Sequence, residues 1–180
     1  MAGRGGFNAI TPEQMDRLLA IRYESDLDDD ECDEAILEEV ARIEATIRAR
    51  SPHYHDADKA WDAIHRCLTG DQTPGGMLSA GTGRGPLKYC VLGEVELIEA
   101  DDPIVGLVKP RQVPKVAAAL AKIDEEGLRK RFFRLDPGAV TDYPLDEEEF
   151  AYTWSNFAKL PGFYRRAADN KRAVLFVAHT

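Results

Sequence analysis

Apolar residues recur at the spacing of an amphipathic helix between residues 56 and 70. Side chains at positions i, i+3, i+4 and i+7 share one helix face, and here that face is Ala57, Ala60, Trp61, Ile64 and Leu68. Gly70 follows them and is suited to the left-handed conformation at a helix end. Large aromatic side chains dominate the energetics of a protein core. We therefore predict a central packing helix that directs Trp61 inward.

Two segments carry the signature of a helix N-terminus. Thr11 is followed by Pro12 and by Gln14, which predicts a capping box at the start of a helix. The apolar face of that helix is expected to be Met15, Leu18, Leu19 and Tyr23. Asp146 with Glu149 repeats the pattern and predicts another helix start. Between them, a further helix is indicated by the spacing of Ile36, Val40, Ile43 and Ile47.

Short apolar runs predict the strands of a sheet. They lie at residues 7–10, 95–98, 104–108 and 173–178, whereas residues 87–92 fit either a helix or a strand. Helices outnumber strands and do not alternate regularly with them, so a doubly wound parallel sheet is not expected. We predict an α+β fold in one domain, residues 1–180, with several helices packed around a small mixed sheet.

Composition is typical of a small globular protein from a reducing compartment. The 180 residues are enough to bury a core, and 44% of them are hydrophobic. No run of 18 apolar residues occurs, and the N-terminal residues lack the apolar stretch of a secretory signal. The three cysteines have neither metal-site spacing nor an even number for a disulfide framework. We therefore expect a cytoplasmic protein with no membrane partner and no cofactor.

The formal net charge of −9 opposes binding to nucleic acid. Negative charge is concentrated in residues 24–39, where ten of sixteen positions are Asp or Glu and none is Lys or Arg. A solvated helix surface with acids at its N-terminus explains such a segment. The alternative is a docking surface that attracts a basic protein. The residues expected to contact that partner are Asp28, Asp29, Asp30, Glu31 and Glu34.

Three motifs resemble ion-binding sites without meeting their requirements. His53 and His55 begin the pattern His-x-His-x-Asp-His of binuclear hydrolases, but Ala57 and Asp58 stand where it needs Asp and His. The aspartates of residues 26–30 lack the glycine and the bidentate acid of a calcium loop. The glycine-rich residues 81–85 are not followed by the Lys-Ser/Thr of a phosphate-binding loop. We expect no metal site.

Polar side chains that could take part in catalysis or binding lie nearest to the predicted core on the central helix. Trp61 and His65 are four residues apart, and Asp58 and Trp61 are three apart, so they are neighbours on a helix. His65 is either a general acid or base with Asp58 as its orienting carboxylate, or a hydrogen-bonded residue at the edge of the core. In the first case Lys59, Trp61 and His65 line a ligand pocket next to residues 81–86.

The sequence DKAWDAIHRCLTG (residues 58–70) resembles the hallmark of the YfbM-like bacterial proteins, a family built on a domain of unknown function. Their central helix carries Asp-Lys-x-Trp-Asp-x-x-His followed by Leu-Thr-Gly. Weaker similarities follow in the same order along nearly the whole chain, at residues 11–13, 91–93, 109–113 and 157–175. Two positions depart from the family pattern, because Glu94 replaces a glycine and Lys109 replaces a capping threonine.

The resemblance implies an α+β fold and a small cytosolic protein, and it implies no activity because the family has none assigned. Two hypotheses for function follow from the residues themselves. The leading one is a non-enzymatic protein-binding module that acts through the acidic residues 24–39. The alternative is a small-molecule-binding protein or hydrolase-like enzyme with a pocket near His65, which has His65 and Asp58 as its candidate catalytic residues.

Overall fold

The structure, a computed structural model, describes residues 3–24, 26–47, 51–73, 82–98, 102–140 and 142–179. The strands are β1 (Gly5–Ile10), β2 (Tyr54–Asp58), β3 (Val95–Glu96), β4 (Ile104–Val108) and β5 (Ala173–Ala178). The α-helices are α1 (Pro12–Glu24), α2 (Asp29–Thr46), α3 (Trp61–Thr69), α4 (Val113–Leu120), α5 (Glu125–Phe132), α6 (Glu147–Phe157) and α7 (Leu160–Asp169). A short 3-10 helix, Pro86–Tyr89, precedes β3.

The five strands form one sheet in the order β2-β1-β5-β4-β3. Each neighbouring pair is antiparallel, so the α+β class is confirmed but the expectation of a mixed sheet is wrong. The N-terminal β1 and the C-terminal β5 are inner strands that pair with each other, and every residue of both is buried. The sequence pattern of each strand does not identify this pairing, because the two strands lie at opposite ends of the chain.

Side chains alternate between the two faces of the sheet and build two separate apolar clusters. Phe7 and Phe176 are register partners that belong to the cluster containing side chains of α3, α4, α5, α6 and α7. Ile10 and Leu175 belong to the cluster formed with α1 and α2. The sheet therefore separates the α1–α2 hairpin from the other five helices, and this separation positions the surfaces described below.

Several local predictions are confirmed. The Thr11 backbone amide donates to Gln14 Oε1 at 2.8 Å while Gln14 N donates to Thr11 Oγ1 at 3.3 Å, which is a capping box. The Asp146 carboxylate accepts from Glu149 N at 2.9 Å and caps α6. Leu18 is fully buried as expected, but Tyr23 is 64% exposed, so its predicted place in the core is wrong.

The predicted N-terminal part of the central helix is wrong, because residues 54–58 form β2 and α3 begins at Trp61. β2 pairs with β1 in the antiparallel sheet, and this long-range pairing overrides the helical spacing of Ala57. Ala60 occupies the N-cap position without a side-chain hydrogen bond, so no carboxylate caps α3. Gly70 ends α3 in the left-handed conformation, φ 75°, as predicted. Within the described residues, no helix is long and apolar enough to cross a membrane.

Candidate functional site

Helix α3 is buried on nearly every side, including its charged residues. Residues 61 to 68 are all buried, and the exposed fractions are 7% for Asp62, 1% for His65 and 2% for Arg66. Charged side chains are almost never fully buried unless they are paired. The partners of these three residues therefore decide whether this part of the core is structural or has an additional role.

Arg66 and Asp62 form a buried ion pair one helical turn apart. Arg66 Nε donates to both oxygens of Asp62, at 3.0 Å and 3.2 Å, and Arg66 Nη1 donates to the carbonyl of Thr73 at 2.9 Å. The Tyr143 hydroxyl donates to Asp62 Oδ2 at 2.8 Å. Burial, followed by the charge of Asp62, raises the pKa of Tyr143 above its ordinary range. These bonds connect α3 to the segment after it and to the segment before α6, which is a structural role.

His65 is the polar residue of α3 whose side chain lacks such bonds. Both ring nitrogens are buried, and neither has a hydrogen-bond partner in the part of the chain that the structure describes. The nearest carboxylate oxygen in an ion-pair geometry is Asp71 Oδ2, 3.8 Å from His65 Nε2, which is beyond hydrogen-bond distance. Desolvation lowers the pKa of His65 to about 4, although Asp71 acts in the opposite direction. The imidazole is therefore neutral at pH 7.

The other predicted pocket residues lie in different surroundings. Trp61 is 2% exposed, as predicted, and its Nε1 donates to the carbonyl of Gly3 at 2.9 Å. Asp58 has a positive φ of 47° and an ion pair with Arg4, with Arg4 Nε 3.3 Å from Asp58 Oδ1. The side chain of Lys59 is exposed.

The carboxylate beside His65 is thus that of Asp71, and the proposed partnership of His65 with Asp58 stays a prediction. The predicted pocket loop begins at Gly81, which lies outside the described residues. Sequence reasoning missed Asp62, Arg66 and Tyr143. Only the i, i+4 spacing of an acid and an arginine on α3 could have indicated the first two.

A second candidate surface lies on the other side of the sheet, where α1 meets α2. Among the described residues, the large hydrophobic side chains that are exposed are Tyr23 at 64%, Leu27 at 44% and Phe133 at 41%. Tyr23 lies in the last turn of α1, and Leu27 lies in the segment between α1 and α2. We define the α1–α2 corner as these two side chains and the five exposed acids that follow: Asp28, Asp29, Asp30, Glu31 and Glu34.

The acidic segment predicted at residues 24–39 divides into two parts in the structure. At its C-terminal end, Glu39 is buried and pairs with Arg17 at 2.7 Å and Arg42 at 3.1 Å, and Glu38 pairs with Arg42 at 2.9 Å. At its N-terminal end, no ion pair involves Asp29 or the other corner acids among the described residues. The unneutralised charge of the segment is therefore concentrated at the corner. The side chain of Glu24 lies outside the described residues.

Comparison with known proteins identifies the family of this chain. A family model described as a domain of unknown function, DUF1877, matches residues 1–177. The chain belongs to the DUF1877 family. Among its relatives, the Escherichia coli (strain K12) protein YfbM is 30% identical over 118 residues, which cover 62% of this chain and 68% of YfbM. The resemblance to the YfbM-like proteins is confirmed.

The crystal structure of the Escherichia coli protein of unknown function YfbM shares the fold of this DUF1877 chain. The two align with a TM-score of 0.65 and 26% sequence identity, over 97% of this chain and 99% of the other. The predicted α+β fold is confirmed by this match as well as by the sheet and helices described above. Both the family model and the YfbM crystal structure are described as of unknown function.

Proposed function

We propose that this DUF1877 protein is a non-enzymatic binding module that docks a basic partner protein through the α1–α2 corner. The observation that carries the proposal is that two exposed apolar side chains, Tyr23 and Leu27, lie in the same short stretch of chain as five exposed acids. The buried centre of a protein interface is rich in aromatic residues, and its rim is polar. The corner has both parts of this arrangement.

The two parts have different physical roles in binding. Tyr23 is of the residue type that most often carries binding energy, because it buries a large, nearly rigid surface together with one hydroxyl group. The acids raise the association rate with a positively charged partner and repel negatively charged ones. Their effect weakens at high salt, since the Debye length falls from about 10 Å at 0.1 M to about 3 Å at 1 M.

Helix stability explains part of the acidic surface, and the experiment has to separate it from binding. Asp28 caps α2 by accepting from Glu31 N at 2.9 Å, and acids in the first turn favour the positive end of the helix dipole. Neither effect requires Glu34, which lies beyond the first turn, or the exposure of Tyr23 and Leu27. A role in binding explains these three residues together.

The test compares two charge reversals that have the same cost to a helix. Asp30→Lys reverses a first-turn acid of α2, and Glu148→Lys reverses a first-turn acid of α6 outside the corner. Immobilised protein is incubated with an extract of its own cells, and captured proteins are identified by mass spectrometry. We expect a basic protein to be captured by the wild type and by Glu148→Lys, but several-fold less by Asp30→Lys and by Tyr23→Ala.

Binding of the captured protein is then measured with purified components at several salt concentrations. We expect affinity to fall as salt increases for the wild type, and to fall less steeply for Asp30→Lys. Capture of neither a basic protein nor a second copy of this chain, or equal capture by wild type and Asp30→Lys, would refute the proposal.

A second candidate function, small-molecule binding or hydrolase-like chemistry at His65, is supported by one specific observation. Two buried ring nitrogens without a partner among the described residues are unusual, because buried polar atoms are nearly always hydrogen-bonded. A ligand site requires access to the imidazole. Diethyl pyrocarbonate should then modify His65 in the folded protein at a rate within tenfold of that for the exposed His179. Modification of His65 only at the rate of global unfolding would refute this candidate.

A further inference from the structure

A groove runs between α4 and α7, on the side of the sheet opposite to the α1–α2 corner. Its volume is about 460 Å³. The lining is mostly small and apolar, with Ala117, Ala118, Ala121, Gly162 and Ala168 among its residues. Small side chains let another surface approach the helix backbones closely. The groove is therefore shaped to accept a protruding apolar side chain from another molecule.

The groove lining carries one cation and one acid, and exposed residues beside it add positive charge. Arg165 lies in the lining together with one acid, Asp169. Two exposed lysines stand beside the lining on the α4 side: Lys115 is three residues before Ala118, and Lys122 is four residues after it. Arg165, Lys115 and Lys122 form no ion pair with another residue that the structure describes. Three cations and one acid favour an occupant that carries negative charge around an apolar side chain.

The α1–α2 corner of the same chain has this chemistry, with Tyr23 and Leu27 beside exposed acids. It cannot reach its own groove, because the sheet lies between them. We infer that the groove receives the α1–α2 corner of a second copy, so that the protein associates head to tail. This inference rests on the proposed function, since it uses the same corner. It names the partner as another molecule of this chain, whose basic docking surface is the groove although the chain as a whole has a net charge of −9.

Head-to-tail association has a property that the experiment can use. Each molecule carries one corner and one groove, so the contact is heterologous and assembly continues until a ring closes or the concentration limits it. A molecule with a defective corner still offers a groove, and a molecule with a defective groove still offers a corner. A mixture of the two can form a single contact and cannot grow further.

The test measures mass by sedimentation velocity at low salt over a range of concentrations. The corner variant is Tyr23→Ala with Asp30→Lys, and the groove variant is Ala118→Glu with Arg165→Glu. We expect the mean mass of the wild type to rise with concentration above the 20.0 kDa of one chain. Each variant alone should stay at the mass of one chain. An equimolar mixture should form a species of twice that mass and no larger one.

Matched controls reverse charges elsewhere on the surface. Glu148→Lys and the exposed Arg84→Glu should assemble as the wild type does. Formation of the mixed dimer also shows that both variants are folded, because each must supply an intact surface. A wild type that remains at the mass of one chain at every concentration, or a mixture without dimer, would overturn the inference. If the wild type stays monomeric while Asp30→Lys still abolishes capture of a different basic protein, this inference fails and the proposed function stands.

Discussion

Replacing Asp62 by alanine tests whether the buried polar cluster on α3 holds the core together. Arg66 is 2% exposed and its Nε contacts both oxygens of Asp62, at 3.0 Å and 3.2 Å. In the variant that nitrogen has no acceptor, although Nη1 keeps its bond to the carbonyl of Thr73. The Tyr143 hydroxyl loses its acceptor as well. The substitution therefore leaves a buried charge and a buried donor unpaired.

The size of the loss follows from the burial of the pair. Removing one partner of a buried ion pair costs about 3–5 kcal/mol, because the remaining charge stays desolvated. In a protein of this size each kcal/mol lowers Tm by about 2–4 °C, so we expect a fall of roughly 6–20 °C. Replacing both partners with apolar residues, Asp62→Ala with Arg66→Met, removes the stranded charge. This double variant should be more stable than Asp62→Ala alone.

Urea denaturation of the wild type, both single variants and the double variant completes the cycle. Glu147→Ala, which breaks the exposed contact with Arg129, is the matched control and should change little because surface ion pairs are weak. A loss below about 1 kcal/mol for Asp62→Ala would refute the reasoning, since it is far smaller than a stranded buried charge requires. So would additive effects in the double variant, because coupled residues are not additive.

Three further predictions concern other buried groups. The pKa of His65 is about 4 in the folded protein and 6.5 in its reference state, so the unfolded chain binds the proton more tightly. The contribution of His65 to stability is therefore fully present above pH 6.5 and falls towards pH 4, by up to about 1.4 kcal/mol per pH unit. The difference in unfolding free energy between pH 7 and pH 5, measured with urea, should be smaller for His65→Leu than for the wild type. Burial raises the pKa of Cys67 to about 12 and also raises that of Cys90, so a thiol reagent should label both only as the protein unfolds. Labelling at pH 7 is followed by mass spectrometry, and rapid labelling of the folded protein would contradict this prediction. A Cβ at Gly106 would overlap the backbone carbonyl of Leu92, so Gly106→Ala should cost at least about 2 kcal/mol in urea denaturation, and an unchanged midpoint would contradict it.

Features that depend on neighbouring residues could be predicted from the sequence. The caps at Thr11 and Asp146 need only residues within one turn, and both are present as expected. The final strand, Ala173–Ala178, was recognisable because a short, wholly apolar run is buried on both faces. Trp61 could be placed in the core because it is the large aromatic side chain on the apolar face of a predicted amphipathic helix.

Features that depend on distant partners could not be predicted in the same way. Residues 54–58 form a strand because β1 lies beside them, and no local signal identifies that neighbour. Tyr23 has helical spacing with Leu19 but lies outside the core, in the last turn of α1. A periodic pattern identifies a helix face, but not how far along the helix that face is covered.

The candidate site shows the same division. Helical spacing identifies His65 as a candidate, but the neighbouring Asp71 follows from the path of the chain after Gly70. There Asp71 N donates to Thr69 Oγ1 at 3.1 Å and Thr73 N donates to Asp71 Oδ1 at 2.8 Å. The acidity of residues 24–39 was evident from composition. The packing of α1 against α2 decides which acids are neutralised by arginines and which stay without an ion pair at the corner.

The position of the sheet makes the two candidate sites separable by experiment. The corner belongs to the hairpin that packs on one face, and His65 belongs to a helix that packs on the other. Substitutions more than about 7–10 Å apart without shared partners have additive effects on stability. A corner variant should therefore leave the pH dependence contributed by His65 unchanged, and His65→Leu should leave partner capture unchanged. Loss of binding in His65→Leu with an unchanged Tm would place the functional site at α3 and remove the main reason for assigning it to the corner.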